Sequence, residues 1–116
     1  MGPFRDGWTT DDVERVIADD DPADLAFVPI VVSMDPPDAA WAAEVCRRLS
    51  AHPDEWVRGN AMTGFGHLAR TTGELDDAIV IPIVQAALTD PSPVVRSKAG
   101  EAVSDLQHFL GWRFPA

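Results

Sequence analysis

Two histidines, an Asp-Glu pair and a tryptophan lie together in the stretch HPDEWVRGNAMTGFGHLAR, residues 52–70. Imidazole and carboxylate groups bind metals and transfer protons, so this stretch is a candidate catalytic or metal-binding segment. However, the sequence has no His-x-x-x-His or Cys-x-x-Cys spacing. If residues 54–71 are helical, the rise of about 1.5 Å per residue keeps His52 and His67 too far apart to share an ion. We therefore predict no metal site.

The remaining reactive residue types also lack a catalytic setting. Cys46 precedes Arg47 and Arg48, and nearby cations can lower the pKa of a thiol. Helical spacing instead places Cys46 beside alanines, which predicts a small buried core residue. No serine lies in a Gly-x-Ser-x-Gly turn, and Gly64 and Gly66 lie in a helical pattern rather than a phosphate-binding loop. We predict a protein that is not an enzyme and has no cofactor.

Two acidic clusters near the start of the chain have a structural and a functional interpretation. Asp11 and Asp12 fit the first turn of a helix, where carboxylates complement the helix dipole. Asp19, Asp20 and Asp21 fit a turn and a helix cap, and the ligand spacing of a calcium loop is absent. The second cluster is also a candidate site for attracting a basic partner.

The composition is that of a folded protein with an acidic surface. The chain has 116 residues, 46% of them hydrophobic, and a net charge of −10. Such a surface repels phosphate backbones, so we expect no nucleic-acid partner, and the same field would attract a basic protein. The charge is alternatively explained by solubility alone. The absence of a leader or a long apolar run predicts a cytoplasmic protein without a membrane partner, and the Ala, Asp, Arg and Pro bias indicates a bacterial source.

The stretch that raised the catalytic hypothesis has a second copy downstream, TDPSPVVRSKAGEAVSDLQH, residues 89–108. Aligning Arg58 with Arg96 gives a spacing of 38 residues and superposes a proline, a Val-Arg pair and apolar residues at helical steps. The matched pairs are Pro53 and Pro91, Val57 and Val95, Ala61 and Ala99, Phe65 and Val103, and Leu68 and Leu106. Each unit therefore reads as a helix, a proline-containing turn and a second helix.

This pattern predicts six helices, at about 10–18, 23–34, 38–50, 54–71, 75–89 and 92–110. The first begins with Thr10 as the predicted N-cap. Residues 10–38 form a degenerate first copy of the repeat. Within it, the β-branched run FVPIVV has the composition of a strand, but its position in the repeat favours a helix that is kinked or begins near Pro29.

The segments DPSPVVRSKAGEAVSDL and HPDEWVRGNAMTGFGHL resemble HEAT repeats of the short bacterial kind. The resemblance implies one all-α domain over residues 1–116, a short right-handed α-solenoid of about three HEAT-like helical hairpins. It also implies that Arg58 and Arg96 bond to a neighbouring turn. The glycines Gly64 and Gly66 should weaken the helix that contains them.

In such stacks the second helices line a concave surface that binds partners. The residues predicted to face outward from these helices are Asn60, Thr63, His67, Lys98, Glu101, Asp105 and His108. Trp56 is expected to be partly exposed at the turn, and is a further contact candidate. Trp41 is predicted to be core, while Trp8 and Trp112 are predicted to cap the ends of the stack.

The sequence therefore favours a protein-binding module, expected to be a monomer or a weak oligomer. Small acidic bacterial proteins without catalytic residues often serve as immunity proteins, so the most concrete hypothesis is neutralisation of a basic, nuclease-type toxin, as in contact-dependent growth inhibition. The alternative is a scaffold or regulatory subunit without a toxin partner. Resemblance of some HEAT-like proteins to bilin lyases or base-excision glycosylases is a third possibility, which the negative charge opposes.

Overall fold

The computed structural model describes residues 2–4 and 7–115, and these form seven α-helices. Their bounds are α1 Thr10–Asp19, α2 Pro22–Leu25, α3 Val28–Met34, α4 Ala39–Leu49, α5 Glu55–Thr71, α6 Asp77–Ala87 and α7 Pro93–Leu110. They pair as three successive hairpins, of α1 with α2 and α3, of α4 with α5, and of α6 with α7. The all-α prediction is confirmed.

Short polar side chains determine where the helices begin. The Asp54 side chain accepts the amides of residues 56 and 57 at 2.8 and 3.1 Å, and Ser92 does the same for residues 94 and 95. These bonds satisfy amides that have no partner within the helix. The predicted cap Thr10 is wrong by one residue, because Thr9 forms a reciprocal capping box with Asp12.

The first hairpin departs from the predicted single helix at 23–34. The chain is helical there, so the strand alternative is wrong, but it forms two short helices interrupted at residues 26–27. Each of these helices has a proline, which lacks an amide hydrogen, among its first two residues: Pro22 in α2 and Pro29 in α3. A helix start tolerates proline because its first amides have no acceptor. The beginning near Pro29 is confirmed.

Helix α5 lies in the middle of the stack, with α3 on one side and α7 on the other. The repeated apolar positions face the core: Val57, Ala61, Phe65 and Leu68 are buried in α5, and their α7 counterparts are buried or half-buried. Buried side chains from all three hairpins form one cluster. The repeat spacing therefore predicted the packing face of both helices.

Helix α5 is continuous despite the glycines that are expected to weaken it, and these glycines permit close packing. A β-carbon added to Gly64 would lie 2.6 Å from Cys46 Sγ, and one added to Gly66 would lie 2.7 Å from Asp105 Oδ2. At Gly59 it would lie 2.9 Å from Lys98 Cδ. The intrinsic cost of a helical glycine, about 1 kcal/mol, is accepted in exchange for contact between helices.

The tryptophans occupy three kinds of environment. Trp41 is half-buried rather than fully core, stacks on Trp8 at 6.0 Å between centroids, and donates to Glu14 Oε1 at 3.3 Å. Trp8 therefore packs on the core beside the start of α4, and Trp112 packs on it beyond α7. Trp56 is 53% exposed, as predicted. An exposed ring of this size makes Trp56 a contact candidate.

Candidate functional site

The turns inside the second and third hairpins are held by equivalent arginines. Arg58 Nη1 donates to the carbonyl oxygens six and five residues earlier, at 3.2 and 2.6 Å. Arg96 Nη1 makes the same two bonds in its own repeat, at 2.8 and 3.0 Å. These bonds satisfy turn carbonyls that have no helical partner. The predicted structural role of both arginines is confirmed.

Arg58 also joins the second hairpin to the third. Its Nε and Nη2 atoms donate to Asp90 Oδ2 and Oδ1 at 3.0 and 2.9 Å, a bidentate pair whose side chains are 20% and 14% exposed. This guanidinium holds the pKa of Asp90 below its usual value, and the carboxylate raises the pKa of Arg58. Within the described residues, Arg96 has no corresponding carboxylate.

The first and second hairpins are joined at the same edge by His52. Its Nδ1 accepts the amide hydrogen of Asp54 at 3.0 Å, so the neutral ring carries its proton on Nε2. That atom lies 2.7 Å from Asp20 Oδ1 and donates to it. Asp20 has a left-handed backbone, φ 53°, and Asp21 accepts an amide at the start of α2. The predicted turn and cap are confirmed, and all three aspartates of the cluster are exposed.

The structure corrects the expectation that Asn60, Thr63 and His67 lie on an open face. All three are half-buried because α5 packs against the first hairpin. Asn60 Nδ2 donates to the carbonyl oxygen of Ala26 at 2.8 Å, and His67 Nδ1 lies 3.0 Å from Ser33 Oγ. Asn60 and His67 thus tie α5 to the first hairpin. Their role as partner contacts stays a prediction.

Ser33 and His67 pair a hydroxyl with an imidazole, which is the arrangement of an activated nucleophile. Partial burial lowers the pKa of His67, the cations Arg70 and Lys98 lower it further, and Asp105 acts in the opposite direction. Ser33 has 0% exposure, and its Oγ also lies 3.1 Å from a carbonyl oxygen of its own helix. A substrate carbonyl cannot reach this oxygen in the folded state, so the pair joins two helices.

Three of the predicted contact residues meet where α5 begins beside α7. Lys98 Nζ lies 6.0 Å from the centroid of the Trp56 ring, and Glu101 lines the same shallow depression of about 430 Å³. We call these residues the Trp56–Lys98 face. A cation over an exposed indole contributes about 0.5–1 kcal/mol and orders both side chains. The face offers an aromatic surface with one positive and one negative group beside it.

The other predicted α7 residues lie further along the same side of the helix. Asp105 packs against Gly66. His108 is exposed in the last turn, where it meets the ring of Phe109 edge-on at 4.7 Å. Since α7 rises about 1.5 Å per residue, His108 lies roughly 15 Å from the position of Lys98 and outside the Trp56–Lys98 face.

Cys46 is a core residue, as predicted. Its side chain is fully buried, and burial raises the pKa of the thiol to about 12. A thiol that remains protonated at neutral pH is a poor nucleophile and a poor metal ligand.

Two wider properties of the described residues bear on the site. Across residues 2–4 and 7–115, no three His, Cys, Asp or Glu side chains come together to hold a metal ion. In the same part of the chain, no helix has the length and apolar character needed to cross a membrane.

Two features of the site were not predicted from the residue pattern. The first is the pair of contacts that Ser33 and the Ala26 carbonyl make with α5 residues 34 positions later in the chain. The first hairpin matches the repeat too poorly for the alignment to place these groups. A groove of about 450 Å³ between α4 and α6 was also not predicted, since it depends on the spacing of helices rather than on a residue motif. A serine in the apolar run FVPIVVSM was the available signal for a buried polar contact.

Comparison with known proteins agrees with this architecture. Residues 80–110, which cover most of α6 and all of α7, match the HEAT repeat family. The fold is a short α-solenoid of HEAT-like repeats. A search of curated proteins gave no match. Among solved structures, a chain in the crystal structure of a CDI complex from Cupriavidus taiwanensis LMG 19424 is similar, with a TM-score of 0.76 and 25% sequence identity. The similarity covers 88% of this chain and 90% of that one.

Proposed function

We propose that this HEAT-like module is the immunity protein of a contact-dependent growth inhibition (CDI) system. It binds the toxin domain of that system and neutralises it in the bacterial cytoplasm, acting by binding and without catalysis. The observation that carries the proposal is the similarity to a chain of a CDI complex over nearly the whole length of both chains.

The net charge supports an inhibitory rather than a toxic role. At −10 over 116 residues, the chain complements a basic protein and repels nucleic acid. A nuclease toxin needs a basic groove for its phosphate substrate, and an acidic protein seated there blocks that groove. The toxin proposed here is therefore a basic nuclease.

The Trp56–Lys98 face is the proposed anchor for the toxin. Exposed tryptophans make large contributions to protein interfaces because they bury much apolar surface at a small loss of side-chain entropy. Lys98 already covers part of the indole, so the ring is partly ordered before binding. Formation of the complex therefore costs less side-chain entropy at this residue.

The test is to purify the toxin domain encoded beside this gene and measure its binding and nuclease activity with and without the protein. We expect a stable complex, loss of nuclease activity at one equivalent, and survival of cells that express both proteins. Trp56→Ala should weaken binding by tenfold or more, an effect on the order of that of an interface hot spot. Phe109→Ala is the matched control, because Phe109 is a 44% exposed aromatic residue away from the proposed anchor.

The charge contribution is tested with Asp19, because this carboxylate is exposed and makes no side-chain bond among the described residues. Asp19→Lys should slow association and flatten its salt dependence without disturbing the His52 contact of Asp20. A toxin domain that remains active and unbound in the presence of the protein would refute the proposed function.

A further inference from the structure

An apolar groove lies open between α4 and α6. These helices begin successive hairpins and make almost no contact with each other, which leaves a groove of about 450 Å³. Phe65 and Val80, both buried, contribute to its lining with Ala43 and Leu75. Ile79 stands at the opening with 48% of its surface exposed. An apolar groove of this size is typical of a binding site.

The rim of the groove is negatively charged. Glu44, Glu74 and Asp76 line it with a single cation, Arg47, so the lining carries a formal charge of −2. Arg47 is bound by Glu44 through two hydrogen bonds of 2.7 and 2.5 Å. Within the described residues, neither Glu74 nor Asp76 has a cationic partner. Two carboxylates without a cationic partner therefore stand beside an open apolar groove, and that of Asp76 also caps α6 by accepting the amide of residue 78 at 3.0 Å.

We propose that the α4–α6 groove docks a basic segment of a protein partner, inserting one or two apolar side chains while its lysines or arginines reach Glu74 and Asp76. The inference rests on the proposed function for the identity of the natural partner, the toxin, and adds a second contact surface to the Trp56–Lys98 face. The charge of the rim selects this occupant, since an acidic segment would be repelled and an uncharged one would leave both carboxylates unpaired.

The direct test uses a probe of that chemistry. The probe is a helical peptide of roughly 15 residues with leucines on one face and lysines on the other, and the control peptide has glutamates in place of the lysines. Binding to the full chain is followed by amide chemical shifts and by fluorescence anisotropy. We expect saturable binding of the basic peptide, with shifts centred on residues 40–47 and 74–80, and no binding of the acidic peptide.

Two changes separate the apolar contribution from the charge contribution. Ile79→Gln replaces the apolar side chain at the opening of the groove with a polar residue that is a good helix former. This change should weaken binding of the basic peptide by about tenfold. The double variant Glu74→Gln and Asp76→Asn should weaken binding of the peptide by a similar factor and lower its salt dependence, because two negative charges are removed. The start of α6 should be preserved, since asparagine is as good an N-cap as aspartate. Folding of each variant is checked by circular dichroism.

Matched controls lie outside the groove. Leu88→Gln changes another exposed apolar residue, and the pair Asp11→Asn and Asp35→Asn removes the same charge from exposed positions of the first hairpin. Neither control should weaken peptide binding by more than about twofold. Shifts centred elsewhere, or equal weakening by the controls, would overturn the inference.

The toxin gives a separate readout. Ile79→Gln should weaken the toxin complex by about tenfold if the groove docks its basic segment. A toxin that is bound equally by both forms refutes the groove while leaving the proposed function intact. A groove that binds the peptide in a protein that neutralises no toxin refutes the proposed function alone.

Discussion

The bidentate pair of Arg58 and Asp90 is expected to account for much of the coupling between the second and third hairpins. Arg58→Ala removes this pair and also the two bonds to the carbonyl oxygens of its own turn. Hydrogen bonds to charged groups contribute about 1.5–3 kcal/mol each when buried, and both side chains retain some solvent contact. We therefore expect the free energy of unfolding to fall by about 2–3 kcal/mol.

Arg96→Ala is a control supplied by the repeat itself. Arg96 makes the same bonds to its own turn but lies exposed and has no carboxylate partner among the described residues. Its loss should lower the free energy of unfolding by about 0.5–1 kcal/mol. The difference between the two variants, about 1.5–2 kcal/mol, isolates the contact between hairpins. Urea unfolding followed by circular dichroism at pH 7 measures both.

The pH dependence provides an independent check on the same pair. The pKa of Asp90 is lower in the folded state than its ordinary value of 3.8, mainly because Arg58 donates hydrogen bonds to the carboxylate. The resulting stabilisation is complete well above pH 3.8 and is lost as the pH falls through the folded-state pKa. The Arg58→Ala variant should lack this acid-sensitive part of the free energy of unfolding. Equal destabilisation by Arg58→Ala and Arg96→Ala, with unchanged acid sensitivity, would show that the inter-hairpin pair contributes nothing.

Three further changes test packing and titration. Gly64→Ala should destabilise the fold by about 2 kcal/mol, because the added carbon meets Cys46 Sγ and lies 3.1 Å from the backbone oxygen of Pro29. Gly100→Ala should stabilise the fold by about 0.5–1 kcal/mol, because a carbon added there has nothing within 4 Å. Thermal unfolding compares the two variants. NMR titration should give His67 a pKa below 6.5, so that stability falls as the pH drops through 6.5 towards that value, and His67→Gln should flatten this loss. The buried thiol of Cys46 should react with Ellman's reagent at pH 8 only as fast as the protein opens, and at once in urea; rapid reaction of the native protein would contradict its burial.

The repeat spacing predicted the second and third hairpins well because it reflects interactions between residues that are close in sequence. Pro53 and Pro91 mark the turns, and apolar residues at helical steps mark the buried faces. The first hairpin was predicted less well, since Pro29 begins a new helix rather than bending one that is already formed. Nothing in the residues around Ala26 indicates that its carbonyl meets Asn60, which is 34 positions away.

The site was predicted in part, for a related reason. Periodicity places Asn60 and His67 on the side of α5 opposite its apolar stripe, but it does not say that α3 covers that side. The same reasoning brought Trp56 and Lys98 onto neighbouring second helices, and there the structure leaves the surface open. Whether a polar residue on a repeat helix is a contact or a tie between helices depends on the adjoining repeat.

Net charge alone does not indicate where a basic partner would dock, because many of these carboxylates already have partners. Hydrogen bonds hold the pKa values of Asp12, Glu14, Glu44 and Asp90 below their ordinary ranges, and each of these groups is paired with an arginine. Such pairs cancel most of their own field at a distance. The carboxylates that remain unpaired therefore determine the direction of attraction. Those at the start of α6 stand beside an apolar groove, which gives a basic segment both a charge to approach and a surface to bury.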